Sequence, residues 1–149
     1  MDEGTHYKRI TLVIADIERS LTIYRDILGF RVHHINDSEE DSYSYPVFQI
    51  PAEAKIRFCT LDSPDQERTL GFTEVKGIEL PKERHPHMTA SVIRVKGIEG
   101  VMDKIAALEL YTTALKIDSN TNGLTFKEQA FVDFDGHLIV LYEMISDKN

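Results

Sequence analysis

The sequence predicts an α+β fold in which one βαβββ unit occurs twice. Three observations carry that expectation. Residues 9–30, RITLVIADIERSLTIYRDILGF, open dense in β-branched and aliphatic types, pass into a helical apolar period, and end on a Gly followed by a new apolar run. They read as strand, helix and strand. The second half follows the same plan, since a shift of 81 residues lays 13–17 on 94–98 and helix on helix. After each helix, short β-rich runs alternate with turn residues.

Each element has a local reason. Asp16 stands where the first strand stops and is placed to cap the helix by accepting from an unpaired backbone N–H, with Glu18 adding favourable charge to the first turn. Ile17, Leu21, Tyr24 and Leu28 recur every three or four residues and share one face. Gly29 follows at the position where a left-handed backbone suits only Gly. Residues 30–35 alternate as a half-exposed strand, and the acidic stretch 36–42 reads as a loop. Residues 43–50 and 55–61 read as strands around the turn 51–54, the first edge-like or bulged because Pro46 cannot donate to a ladder. Residues 63–86, with Pro64, Pro81 and Pro86 among many charges, read as a connection that includes a short strand within 72–80. In the second half, 88–95 is a strand, and 97–110 carries Ile98, Val101, Met102, Ile105 and Ala106 at helical spacing. Residues 112–117, 126–132 and 138–143 are strands, the last two joined by the turn Asp133-Phe134-Asp135-Gly136.

The totals exclude several classes. At 149 residues and 42% hydrophobic, the chain can bury the core of one domain spanning 1–149, with module one at 7–62, a connection at 63–86 and module two at 87–145. A net charge of −8 lacks the basic stripe that a general nucleic-acid surface needs. No run approaches the roughly 20 apolar residues of a membrane-spanning helix, and the opening MDEGTHYKR lacks the apolar core of a secretory signal. The single cysteine, Cys59, excludes an internal disulfide and fits a reducing, cytoplasmic setting.

The aliphatic strand followed by Asp16-Ile17-Glu18-Arg19-Ser20, Tyr24 and Leu28-Gly29-Phe30 resembles the opening module of the vicinal oxygen chelate superfamily, which includes glyoxalase I, bleomycin-resistance proteins and extradiol dioxygenases. The second half is a weaker copy, so the resemblance covers nearly the whole chain. It implies two tandem βαβββ modules whose curved mixed sheets surround a cavity, and a homodimer that covers the open edges. In metal-using members, a His in each module's first strand and a Glu in its last strand hold a divalent ion, which acts as a Lewis acid. Carried over by offset, the two His positions fall on Arg9 and Ala90, and the two acidic positions on Arg57 in IRFCTL and Val140 in GHLIVLYE. None of these four binds a divalent cation, so no metal and no other cofactor is expected. His33 and His34 point to opposite faces of a strand, and His85, His87 and His137 lack a recognisable ligand spacing.

Arg9 and Arg57 would both point at the cavity, where two guanidiniums repel unless an anion answers them. That anion is either a ligand carboxylate or phosphate, or an internal carboxylate such as Asp133 or Glu143. Residues of the same parity would line the rest: Thr11 beside Arg9, Cys59 beside Arg57, Val92 beside Ala90, and Tyr142 beside Val140. Tyr43 and Tyr45 offer stacking surface for a planar ligand. The expected function is a metal-free protein holding a small anionic or aromatic molecule, by sequestration as in the bleomycin-resistance branch or with side-chain proton chemistry. The alternative is a metal-dependent lyase, isomerase or dioxygenase of the glyoxalase and extradiol type.

Overall fold

The computed structural model describes residues 4–81, 85–120 and 122–146. The elements in chain order are β1 (Ile10–Ile14), α1 (Ile17–Leu21) running into a π-helical turn (Thr22–Ile27), β2 (Arg31–Asp37), α2 (Ser44–Phe48), β3 (Lys55–Ser63) and β4 (Gln66–Lys76). Then follow β5 (Ser91–Arg94), α3 (Ile98–Ala106), β6 (Lys116–Ser119), β7 (Leu124–Val132) and β8 (Leu138–Ser146). They form two open four-stranded sheets of the same order, β1-β4-β3-β2 and β5-β8-β7-β6. In each, the first strand runs parallel to its neighbour and the other pairs are antiparallel. The α+β class and the two tandem modules are therefore as the sequence predicts.

The chain divides into two compact units: Met1–Leu21 with Gly29–Pro81, and Thr22–Leu28 with Lys82–Asn149. In the first unit, Leu12, Ile14, Leu70, Phe72, Cys59 and Leu61 are buried on the sheet together with Ile17 and Leu21 of α1. Asp16 caps α1 as expected, its Oδ1 accepting from Arg19 N–H at 2.9 Å. That bond is the main reason its carboxyl titrates below the usual range. Glu74 of β4 satisfies another free donor, Oε2 accepting from Ile17 N–H at 2.7 Å. The second unit repeats the device: Glu143 of β8 accepts from Gly97 N–H at 2.6 Å and Ile98 N–H at 3.1 Å at the start of α3. Its core gathers Ile98, Met102, Ile105, Phe131, Ile139 and Leu141 with Ile23 and Tyr24 of the π-helical turn.

Three elements differ from the sequence expectation, the first being the strand expected at 112–117, which is β6 at Lys116–Ser119 with Thr112 in an isolated bridge to Phe131. Residues 43–50 are not a strand; they hold the short helix α2, where Pro46 lies in the first turn and its missing N–H costs nothing. Gln49 ends α2 in a left-handed conformation at φ 57°. Residues 66–76, read mostly as connection, form the 11-residue strand β4. Its six successive buried residues, Leu70 to Val75, lack alternation because β4 is central, flanked by β1 and β3 and covered on both faces. The first sheet therefore extends to Lys76, and β3 is not its last strand.

Candidate functional site

A cavity of about 340 Å³ opens on one face of the first sheet. Register fixes that face. Thr11 pairs with Gly71 and Gly71 with Thr60, while Phe58 pairs with Thr73 on one side and Asn36 on the other. All six line the cavity together with Arg9, and α2 adds Ser44 and Phe48 from above. Beside it on the sheet, Ile50, Ala54, Ile56 and Val75 form a small core against which Val13, Tyr45 and Phe58 pack. Tyr45 is pinned there by its hydroxyl, which donates to the Ala54 carbonyl at 2.8 Å. The lining thus combines phenyl surface, hydroxyls, one amide and one guanidinium, the usual composition of a small-molecule site.

Arg9 and Gly71 belong together. A Cβ built on Gly71 would stand 3.3 Å from Arg9 Cδ and 3.1 Å from Thr11 Oγ1. The absence of a side chain at 71 is what lets the Arg9 stem lie across the strand. Arg9 Nη1 donates to the Arg68 carbonyl at 3.1 Å, and among the described residues no carboxylate pairs with it.

The other expected residues divide. Arg57 does not line this cavity: its Nε donates to Glu74 Oε1 at 3.1 Å, the same carboxylate that caps α1. Strand alternation turns Arg57 and Cys59 to the helix-covered face, where Cys59 is 1% exposed, so Cys59 borders the cavity through its backbone. Tyr43 is 81% exposed and offers no enclosed stacking surface. In the second unit, Val92 pairs with Val140 and Arg94 with Tyr142, so Val92, Val140 and Tyr142 share one face of β5 and β8 with Ala90 just ahead of β5. That face is open, with Val92 63% exposed. The proposed internal partners are engaged elsewhere in that unit. Asp133 Oδ2 accepts from the Tyr24 hydroxyl at 2.7 Å and its Oδ1 from the Asp135 and His137 N–H groups, while Glu143 caps α3.

Register also corrects one metal-ligand position. Since Thr11 pairs with Gly71 as Val92 pairs with Val140, the first-module counterpart of Val140 is Gly71 and not Arg57. The four positions are then Arg9, Gly71, Ala90 and Val140, and none carries a donor for a divalent ion. Among the described residues, no three His, Cys, Asp or Glu side chains are grouped to hold one elsewhere. The residues do not fit the family's ion. His33 is instead bound to Asp62 at 3.0 Å, and His85 meets His87 edge to face with ring centroids 5.2 Å apart.

The family model described as Glyoxalase/Bleomycin resistance protein/Dioxygenase superfamily matches residues 6–141. The chain belongs to that superfamily. Solved structures with the same fold include a glyoxalase family protein from Bacillus cereus, at 10% identity and TM-score 0.73 with 98% of this chain and 99% of that one covered. Another, from Enterococcus faecalis, has 19% identity and TM-score 0.60 over 95% and 98% of the two chains. The fosfomycin resistance protein FosX from Listeria monocytogenes, solved with Mn(II) and sulfate, has 17% identity and TM-score 0.57 over 96% and 93%. No curated protein matches the chain in sequence. Among the described residues, no helix is long and apolar enough to cross a membrane.

The cavity residues that sequence reasoning missed are Asn36, Ser44, Phe48, Phe58, Thr60, Gly71, Phe72 and Thr73. A Gly inside the apolar run TLGFTEV was the available signal, because such a Gly marks a close approach.

Proposed function

We propose that the first-unit cavity binds a small organic oxyanion without a metal ion, Arg9 making the charged contact and Phe48 and Phe58 enclosing the apolar part. The observation that carries this is Arg9 itself, a guanidinium at a cavity wall, over a glycine, with no carboxylate partner among the described residues. A guanidinium so placed keeps donors free for a charge-assisted bond to a bound anion. The hydroxyls of Thr11, Ser44, Thr60 and Thr73 and the Asn36 amide supply further hydrogen bonds. Hydroxyl, amide and guanidinium groups hold an anion but do not carry protons near neutral pH, which favours sequestration over turnover. On the second unit, Ala90, Val92, Val140 and Tyr142 present the apolar surface proposed to serve a ligand or a second copy of the chain, as in a cytoplasmic homodimer.

The test is calorimetric titration with benzoate and with fosfomycin, the latter because FosX is named for resistance to it. Binding that weakens by about 1.5–3 kcal/mol in Arg9→Met, the value of one charged hydrogen bond, supports the proposal. Equal affinity of wild type and Arg9→Met for every anion, or turnover that requires added Mn(II), overturns it.

A further inference from the structure

Arg9 is held in place by a network that lies outside the cavity. Two irregularities meet at one level of the first sheet. Between Val32 and His34, β2 carries His33 as an extra residue, and opposite Asp62 of β3 the β4 strand carries Glu67, Arg68 and Thr69. Bulges of this kind re-aim side chains and backbone groups beside binding sites. His33 and Arg68, which these irregularities leave out of the ladder, bond with Asp62, which stays paired with Arg31. Asp62 Oδ1 accepts from Arg68 N–H at 2.8 Å, and Arg68 Nε donates to His33 Nε2 at 3.2 Å. With Nε2 accepting, the ring proton sits on Nδ1 and is donated to Asp62 at 3.0 Å.

The backbone of Arg68 shows what this accomplishes. Arg68 has φ 53°, a left-handed conformation that disfavours any residue with a Cβ. The bonds from Asp62 and His33 hold it there, and the Arg68 carbonyl is the group that accepts from Arg9 Nη1. The same bulge grips the segment just ahead of β1 as well: Gln66 Nε2 donates to the Lys8 carbonyl at 2.6 Å, and Lys8 Nζ donates to the Glu67 carbonyl at 3.2 Å.

We infer that Arg68 is a positioning residue, whose strained backbone, locked by Asp62 and His33, presents a carbonyl that orients the Arg9 guanidinium over Gly71 for anion binding. The last clause rests on the anion-binding reading of the cavity; the orientation of Arg9 does not. Orientation can be read without ligand, in the full chain, from the side-chain nitrogen resonances of Arg9. An anchored guanidinium gives separate Nη signals, and a freely rotating one gives merged signals.

Separate Arg9 signals are expected in the wild type, merged signals in Asp62→Ala, and separate signals again in Asp62→Ala/Arg68→Gly, where glycine keeps the left-handed backbone without an anchor. A loss of general stability alone would not be reversed by that glycine. Should Asp62→Ala not fold, His33→Leu takes its place and merges the signals at a lower temperature than in the wild type. Arg9 signals unchanged in Asp62→Ala and His33→Leu overturn the inference. Benzoate affinity is expected to fall about tenfold in Asp62→Ala and to recover in the double variant. If instead Arg9→Met binds benzoate as the wild type does, the anion reading fails while the resonances still decide whether Arg68 positions Arg9.

Discussion

Two arginines that look alike in the sequence stand in different surroundings. Arg57 answers a carboxylate that is already occupied: Glu74 is 4% exposed, and its two oxygens serve Ile17 N–H and Arg57 Nε. Arg57→Met leaves that buried charge with one partner, so we expect a loss of about 1–2 kcal/mol in urea unfolding, reduced from the buried-pair value because Arg57 is half exposed, with ligand affinity unchanged. Arg9→Met reverses the pattern, with affinity lost and stability nearly kept. Similar profiles for the two variants would refute the division. Gly71→Ala tests the same site from beneath. Its Cβ would crowd Arg9 Cδ and Thr11 Oγ1, at 3.3 and 3.1 Å, so anion binding should weaken while the fold loses about 1 kcal/mol. An alanine variant that binds at least as well as wild type would show that the glycine is not there to admit Arg9.

At the scale of elements, both units join strand to helix through a carboxylate. Asp16 and Glu74 serve α1, Glu143 serves α3, and Asp62 holds the β4 bulge. Backbone N–H donors are the foremost cause that keeps the Asp16, Asp62 and Glu143 carboxyls below their usual range. A carboxyl depressed on folding contributes stability that is complete above its unfolded pKa, roughly 4, and disappears as pH falls through the folded value. Urea midpoints should therefore be flat from pH 7 to about 5 and fall below 4, and Glu143→Gln should shallow that fall. A midpoint that rises on acidification would contradict the assignment. The Glu74 and Glu143 caps reach across 57 and 46 residues and left no local signal, whereas the Asp16 cap, beside the turn it serves, was legible in the sequence. The last strand was not, because β4 is covered on both faces and shows no period-two signal. Choosing β3 in its place selected the Arg57 and Cys59 parity, one residue away from Phe58 and Thr60, and so the opposite face of the sheet.

For the whole molecule, the repeat made the fold legible and left the chemistry to individual positions. A superfamily scaffold constrains where an ion would sit but not whether donors stand there. Here register makes Gly71 the counterpart of Val140, and with Arg9 and Ala90 carried over by sequence offset those places hold a positive charge and three groups without ligand atoms. The physical consequence can be measured on the intact protein. A dedicated site occupied at a hundredfold excess over its Kd adds about 2.7 kcal/mol to stability. For a chain of 149 residues that corresponds to a rise of roughly 5–10 °C in Tm. We expect Mn(II) or Zn(II) added to protein purified without tag or chelator to leave Tm within about 1 °C, since scattered surface carboxylates bind such ions too weakly to reach that shift. Benzoate, drawn to Arg9, should raise Tm in the wild type and not in Arg9→Met. A metal-induced rise of several degrees with one ion retained per chain would mean that other side chains rebuild the family's centre, and the arginine would then be an accessory to metal chemistry.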